Sequence, residues 1–179
     1  MNYYKYIDID DPDIIIKKCL DYVKSIDKIY KREISFTNWY NLNVKELREV
    51  CPELVTSFLQ YDLKIIMAAA YVMYRPGQIT IHKDASAWKA RINLPLLNCK
   101  DTYTEFYESD ANQLKWINPE HGSFFVPGDD CKLVDKVEIK QATVIRTGAL
   151  HSVYMPTDNP VPRITLTLGF HKDPVYMLE

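Results

Sequence analysis

The hydrophobic pattern changes its period near residue 65, and this change restricts the folds that the chain can form. Before it, "DDPDIIIKKCLDYVKSIDKIYKRE" places apolar residues near helical spacing, with Asp11 as the candidate N-cap and Pro12 at the first helical position. A second helix is predicted over about 44–60, with Asn43 as its N-cap, and Pro52 is expected to kink or split it.

After residue 65 the sequence has the pattern of short strands separated by Pro, Gly, Asn and Asp. The predicted strands are 65–74, 79–84, 91–97, 103–107, 123–126, 132–134, 138–146, 151–154 and 163–170. Helices followed by many short strands predict an α+β, mainly β fold, in which helices cover one face of a double-sheet β-roll. An open antiparallel sheet with helices on one face is the alternative.

Length and composition limit the functional classes. The 179 residues are expected to form a single domain, with a helical bracing region over 1–64 and a β core over 65–179. The formal net charge of −2 predicts no basic face, so nucleic acid is an unlikely partner by this criterion. No apolar run reaches the length of a membrane span, and the first residues lack the order of a signal peptide, which favours a cytoplasmic location.

The four cysteines are far apart in the sequence and form no Cys-x-x-Cys pair. We predict reduced thiols rather than a zinc or disulfide framework for Cys19, Cys51, Cys99 and Cys131.

The triplet His-Lys-Asp occurs twice. In "QITIHKD" the side chains of His82 and Asp84 share one face of a predicted strand, as two ligands of one metal must. A structural histidine hydrogen-bonded to an aspartate is the alternative. In the second copy, Pro174 directly follows Asp173 and ends the strand, so His171 and its neighbours are expected to be exposed polar residues at a strand exit.

A further histidine and an arginine extend the first copy. His151 lies between two predicted strands and can supply a third ligand. Arg163 opens a strand with Thr165 on its own face and an apolar opposite face. Because burying an arginine without an anion is costly, we expect a carboxylate to bind Arg163 in a bidentate manner, with Thr165 adding a hydrogen bond.

This arrangement resembles the Fe(II)/2-oxoglutarate-dependent dioxygenases of the prolyl and aspartyl/asparaginyl hydroxylase kind. The shared features, between about residues 71 and 170, are His-x-Asp, a distant His, and an Arg with a small hydroxyl residue two positions later. The resemblance implies a double-stranded β-helix, a cupin-like jelly roll, braced by N-terminal helices. It also implies hydroxylation of a substrate C–H bond with O₂ and 2-oxoglutarate, releasing succinate and CO₂.

The same resemblance implies roles for individual residues. His82, Asp84 and His151 would ligate Fe(II), while Arg163 and Thr165 would hold the far carboxylate of 2-oxoglutarate. Many members carry Tyr-x-x-Gly shortly before His-x-Asp. The match in "YRPGQITIHKD" adds Tyr74 as a further contact of 2-oxoglutarate.

Three residues are candidates for contact with the substrate. On "KARINLPLLN", Arg91 and Asn93 share a face and are expected either in the cavity or as polar residues at a barrel end. Arg91 stands nine residues after His82, which resembles the aspartyl/asparaginyl hydroxylases, although that branch lacks the Asp ligand. Trp88 follows the ligand pair and is expected to line the entrance or to anchor the loop locally.

The substrate is predicted in the order protein side chain, small metabolite, nucleobase. The long region 109–136 is expected to select it, and within that region His121 and the Asp129–Asp130 pair are predicted in exposed turns. Two other functions remain open at this point. One is a cupin-type metal-dependent protein that does not use 2-oxoglutarate, and the other is a non-enzymatic sheet protein with structural histidines.

Overall fold

The computed structural model describes residues 1–26, 29, 36–84, 86–110, 115–118, 123–125 and 131–179. Its helices are α1 (Pro12–Ser25), α2 (Val44–Val50), α3 (Pro52–Leu59) and a short C-terminal 3-10 helix (Pro174–Leu178). The strands are β1 (Tyr4–Tyr6), β2 (Thr37–Asn41), β3 (Ile65–Met73), β4 (Gly77–Gln78), β5 (His82–Asp84), β6 (Arg91–Leu97), β7 (Tyr103–Ser109), β8 (Lys115–Asn118), β9 (Ser123–Phe125), β10 (Cys131–Glu138), β11 (Thr143–Ile145), β12 (Leu150–Met155) and β13 (Arg163–Phe170).

The strands form two antiparallel sheets that pack face to face. Sheet A has the order β1-β11-β6-β13-β3-β2, and sheet B has the order β10-β7-β12-β5-β9-β8, with β4 paired to β12. Successive strands β10, β11, β12 and β13 alternate between the sheets, as in a jelly roll. The predicted double-stranded β-helix is therefore confirmed, and the open-sheet alternative is wrong.

Strand β13 is the central strand of sheet A and is buried along its whole length. Its apolar face belongs to the hydrophobic core beneath the helices; there the rings of Phe170 and Phe58 meet edge to face with centroids 5.1 Å apart. Its other face carries Arg163, Thr165 and Thr167 toward sheet B. The alternation visible in the sequence thus separates the helix-packing side of sheet A from the side that faces a cavity.

Helix α1 packs on sheet A through Ile15, Cys19 and Val23, which recur at intervals of four residues and are fully buried. Asp11 occupies the predicted N-cap position, but its side chain makes no capping hydrogen bond. Its backbone is left-handed, with φ 47°, so the prediction is wrong about the capping interaction.

The second predicted helix is split at Pro52 into α2 and α3. Cys51, with φ −138° and ψ 70°, forms the break, and Pro52 takes the first position of α3, where its missing N–H costs no hydrogen bond. Asn43 caps α2 as predicted, since its Oδ1 accepts from the backbone N–H groups of Lys45 and Glu46 at 3.0 and 3.4 Å.

Asn43→Ala is expected to lower the free energy of unfolding by about 1 kcal/mol, because two N–H groups at the start of α2 lose their acceptor. Chemical denaturation checks the value. Asn43→Ser is the matched control, since a serine hydroxyl can cap the same helix. An alanine variant as stable as the serine variant would contradict a capping role.

Four strands, β1, β2, β4 and β8, were not predicted, and two predicted strands differ markedly from the observed ones. β1 and β2 lie within region 1–64 and pair with the edges of sheet A. The predicted strand over 79–84 reduces to β5, although the Ile79 N–H still donates to Val153 O at 3.0 Å. The predicted strand over 138–146 divides between β10 in sheet B and β11 in sheet A. The division into a bracing region, 1–64, and a β core, 65–179, stays a prediction. The bracing region contains strands β1 and β2 as well as helices.

All four cysteines are free, as predicted. Cys19 on α1 and Cys51 at the α2–α3 break lie together, because their thiols hydrogen-bond to each other and that contact raises the pKa of the Cys19 thiol, as does burial. None of the helices in the described ranges has both the length and the hydrophobicity needed to cross a bilayer.

Candidate metal centre

Strand pairing brings the first His-Lys-Asp triplet and the distant histidine together. His82 in β5 pairs directly with His151 in β12, and His151 pairs on its other side with Phe106 in β7. Phe106 and His151 are buried, and directly paired residues project from the same face of a sheet. His82 and His151 therefore lie on the inner face of sheet B.

The three predicted metal ligands form a compact group. Each of His82, Asp84 and His151 offers a ligand atom within 4.8 Å of the others. The imidazole rings of the two histidines have centroids 4.4 Å apart, and His82 Nε2 is 3.8 Å from an Asp84 carboxylate oxygen. Two imidazoles and one carboxylate at this spacing fit the facial triad of a non-heme Fe(II) site.

The Nδ1 atom of each histidine lies against a backbone carbonyl. His82 Nδ1 is 2.8 Å from Thr80 O, and His151 Nδ1 is 2.9 Å from Ala149 O. In the neutral ring, a proton on Nδ1 then donates to the carbonyl and leaves Nε2 as the lone-pair donor for a metal. The carbonyl contacts therefore select the tautomer that a metal site needs.

Burial, together with the nearby His151, lowers the pKa of His82 to about 4. The side chain of His82 is only 17% exposed, so its charged form is poorly solvated. His82 is consequently neutral near pH 7, and the neutral imidazole is the form that ligates metals.

The turn before β12 supports two ligands at once. Thr147 O accepts from the backbone N–H of Asp84 at 2.9 Å, and Ala149 O accepts from His151. Gly148 N–H in turn donates to Lys89 O at 3.0 Å, which ties this turn to the loop that follows Asp84. No sequence pattern indicates these backbone contacts, since they depend on the docking of two distant segments.

Arg163 is the largest side chain in the structure with less than 2% exposure. Its Nε donates to Thr102 Oγ1 at 2.8 Å, and that hydroxyl donates to Cys99 O at 2.7 Å. Within the described part of the chain, neither Nη1 nor Nη2 of Arg163 has a hydrogen-bond partner. A buried guanidinium with two unsatisfied nitrogens fits a bidentate carboxylate ligand.

Thr165 and Tyr71 lie beside Arg163 on the same face of sheet A. Thr165 pairs directly with Tyr71 in β3, and Arg163 pairs with Met73. Burial raises the pKa of the Tyr71 phenol to about 12, while the nearby Arg163 charge opposes the rise. Tyr71 was not among the predicted site residues, although its odd-numbered position in β3, shared with Met73, could have indicated this face.

Tyr74 lies on the opposite side, which corrects the expectation that it contacts 2-oxoglutarate. Its hydroxyl donates to Ile29 O at 2.5 Å and is 2.7 Å from the Tyr40 hydroxyl. Its ring packs against the core beneath the helices. The alternation of side chains explains the difference, because Tyr74 is three positions after Tyr71 and an odd offset along an extended chain points the two side chains to opposite faces.

The three candidate substrate residues lie close together. Asn93 pairs with Thr167 of β13 and with Thr143 of β11, so it faces sheet B. Arg91 lies on the same face, with its Nη2 donating to Ser86 Oγ at 2.9 Å. The Arg91 guanidinium carbon is 5.6 Å from the centroid of the Trp88 ring, which joins the loop residue to this group.

The second His-Lys-Asp triplet has structural contacts. Exposed His171 accepts from Lys64 N–H at 3.1 Å, and Lys172 forms a 2.6 Å ion pair with Asp62. Asp173 caps the C-terminal 3-10 helix by accepting from Val175 N–H at 3.0 Å. The position of this triplet at a strand exit is as predicted. Asp173, however, caps a helix and is not merely an exposed polar residue.

Much of the predicted specificity region lies outside the described residues. This applies to 111–114, 119–122 and 126–130, and so to the predictions for His121 and for Asp129 and Asp130. The described parts of the region are strands β8 and β9 and the first part of β10.

Solved structures of three proteins have a similar fold. HygX from Streptomyces hygroscopicus, with nickel and 2-oxoglutarate bound, is 8% identical over 94% of this chain and 82% of its own, with a TM-score of 0.57. SnoN, a non-heme alpha-ketoglutarate-dependent epimerase from nogalamycin biosynthesis, is 11% identical over 93% of this chain and 75% of its own, with a TM-score of 0.57. AviO1 from Streptomyces viridochromogenes Tue57 is 13% identical over 97% of this chain and 90% of its own, with a TM-score of 0.55.

HygX has also been crystallised with hygromycin B, and SnoN with Fe³⁺, alpha-ketoglutarate and nogalamycin RO. No protein-family model matches the sequence, and no curated protein matches it significantly. At these identities the likeness shows the fold alone, a double-stranded β-helix.

Proposed function

We propose that the chain binds Fe(II) through His82, Asp84 and His151, binds 2-oxoglutarate through Arg163 and Thr165, and hydroxylates a C–H bond of a substrate. One observation carries the proposal: sheet B holds a three-residue metal-ligand group, and the face of sheet A turned toward it holds a buried arginine with two nitrogens that have no partner among the described residues. Each feature has a purely structural explanation when it is taken alone, but one metal-bound dicarboxylate would account for both.

The chemistry that Fe(II) and 2-oxoglutarate supply together is oxidation by O₂, with one oxygen atom going to the substrate and the other to succinate as CO₂ is released. The protein supplies placement. Arg163 and Thr165 bind the far carboxylate, and Thr102 holds the Arg163 guanidinium in position through Nε. The Tyr71 hydroxyl can donate to the same carboxylate, and its raised pKa keeps it protonated.

The protein also excludes water and sets the ligand tautomers. Met73, which pairs with Arg163, belongs to an apolar cluster with Val153 and Met155 of sheet B, and apolar surroundings strengthen a hydrogen bond to the guanidinium. At the metal end, the carbonyls of Thr80 and Ala149 fix the imidazole orientations. Fixed donors in a dry cavity need little rearrangement during the reaction.

A small-molecule substrate is favoured over a protein side chain, which reverses the order expected from the sequence. The reason is that HygX and SnoN, which share the fold, have been crystallised with hygromycin B and nogalamycin RO. SnoN is an epimerase, so the fold serves more than one outcome, and hydroxylation is our proposal for this chain.

Anaerobic addition of Fe(II) and 2-oxoglutarate is expected to produce a visible metal-to-ligand charge-transfer band. The band requires the keto acid to chelate the metal, so it tests both halves of the proposed site without a substrate. Succinate formation under O₂, in the presence of a small-molecule panel, then tests turnover. Tight Fe(II) binding without the band would instead support a cupin-type protein that does not use 2-oxoglutarate.

A further inference from the structure

Arg91 forms a second cationic position in the cavity, far from Arg163. The register Asn93↔Thr167 places Arg91 next to Gly169 on the inner face of sheet A. A Cβ on Gly169 would lie 2.7 Å from Arg91 Nη1, so the guanidinium rests directly on this glycine. Any larger residue at 169 would displace the guanidinium, which makes Gly169 part of how Arg91 is positioned.

The two guanidinium groups cannot share one molecule of 2-oxoglutarate. Arg163 and Gly169 are six positions apart on β13, which corresponds to roughly 20 Å along a strand. Arg163 is fixed at the start of β13 by Thr102, and Arg91 lies over its far end. A five-carbon dicarboxylate is much shorter than that separation, so Arg91 is available for a different ligand.

Arg91 lies at the loop that follows Asp84, since its Nη2 donates to Ser86 Oγ at 2.9 Å. The carboxylates of Asp84 and Asp173 both act on its charge, and they oppose the lowering of its pKa by burial. A group bound at Arg91 would therefore lie near Asp84, one of the three proposed metal ligands.

Neither carboxylate forms an ion pair with Arg91 in the described part of the chain. Asp173 is occupied by backbone N–H groups, accepting from Lys89 at 2.6 Å, Ala90 at 3.2 Å and Val175 at 3.0 Å. Asp84 belongs to the metal-ligand group. Among the described residues, Ser86 Oγ is the hydrogen-bond acceptor of the Arg91 guanidinium, so most of its five N–H donors remain for a ligand.

Asn93 adds a hydrogen-bond acceptor next to this position. Its Oδ1 is buried and has no partner among the described residues. Asn93 follows Arg91 by two residues on the same face, so their Cα atoms are roughly 7 Å apart. A ligand that places an anion on Arg91 and a hydroxyl or amino group on Asn93 would satisfy both.

We propose that Arg91, positioned by Gly169, Ser86 and Trp88, binds a carboxylate of the substrate, and that the substrate is therefore a small organic acid. A planar guanidinium held by a hydrogen bond on one side and an aromatic ring on another matches a carboxylate in a bidentate manner. The inference rests on the proposed function, since it names the substrate class of the same site.

The test uses the protein loaded with Zn(II), as a diamagnetic substitute for Fe(II), and with 2-oxoglutarate. The probes are monocarboxylic acids of graded length, each paired with its primary amide, and binding is measured by saturation-transfer NMR. We expect each binding acid to bind at least about tenfold more tightly than its amide, as the loss of a charged hydrogen bond implies. A blocked glutamyl peptide and its glutaminyl counterpart test whether a protein carboxylate is the source.

Variants assign the preference to Arg91. Arg91→Gln is expected to abolish the difference between acid and amide, and Gly169→Ala is expected to reduce it while every ligand-binding group is kept. Lys89→Gln is the matched control, because it removes a nearby positive charge from an exposed side chain. It should keep the preference.

Equal binding of acids and amides would overturn the inference, and so would no binding of any acid. An unchanged preference for acids in Arg91→Gln would also overturn it. The same holds if Arg91→Gln loses as much 2-oxoglutarate affinity as Arg163→Met, the variant that lacks the guanidinium proposed to bind 2-oxoglutarate. A preference of the glutamyl peptide alone would also reject a small organic acid. Failure of the proposed function is distinguishable, because the wild-type protein would then not bind 2-oxoglutarate at all.

Discussion

His82→Ala is expected to weaken divalent-metal binding at least about 100-fold. Loss of a residue that only supports a metal ligand already costs 10–100-fold, and this variant removes one of three ligands. Calorimetric titration with Mn(II) or Co(II) under anaerobic conditions measures the change. Because His82 is half-buried rather than part of the apolar core, the fold should survive, and circular dichroism checks this.

The chain contains its own matched control for this variant. His171→Ala removes a histidine from an identical His-Lys-Asp triplet, but that residue is exposed and accepts only from Lys64 N–H. Metal affinity should be unchanged in His171→Ala. Equal losses in the two variants would mean that the metal is bound without regard to the cavity, and the proposed site would be wrong.

Arg163→Met is expected to have opposite effects on ligand binding and on stability. The Kd for 2-oxoglutarate should rise about 30-fold or more, since truncating one partner of a buried charge pair costs about 2–5 kcal/mol. The ligand-free protein should become more stable, with a higher Tm, because a buried guanidinium with unsatisfied nitrogens is replaced by a shorter, unbranched apolar side chain. Thr102 keeps its bond to Cys99 O in the variant.

The charge-transfer band titrated with 2-oxoglutarate and thermal unfolding of the metal-free protein measure the two effects. Arg163→Lys is the graded control, because it keeps the charge but loses the two-nitrogen geometry, so it should retain only part of the affinity. Unchanged 2-oxoglutarate binding in Arg163→Met would refute the assigned role. It would leave Arg163 with a purely structural function.

Much of the site could be predicted because it depends on strand alternation. His82 and Asp84 are two residues apart, and so are Arg163 and Thr165, so each pair shares a face in any strand that contains it. The same parity placed Arg91 and Asn93 together. The Tyr74 expectation was wrong because a family motif was given more weight than this rule, which favours Tyr71.

The elements that could not be predicted depend on distant partners. β1 and β2 are short, and they exist because they pair with β11 and β3 at the edges of sheet A. The break of 138–146 into two strands reflects a crossover between sheets, which local hydrophobicity does not encode. The hydrogen bonds from the backbone N–H groups of Lys89 and Ala90 to Asp173 likewise require a distant segment of the chain.

The sequence by itself determined which side chains share a face, because the covalent geometry of an extended chain alternates them regardless of what surrounds it. Only the tertiary structure decided which face is interior, since that depends on the register of strands far apart in the sequence. The two identical triplets therefore differ in their tertiary environment, because His82 pairs with His151 whereas His171 lies at the surface. The tertiary structure also left the two terminal nitrogens of Arg163 without partners among the described residues, and Arg91 resting on Gly169.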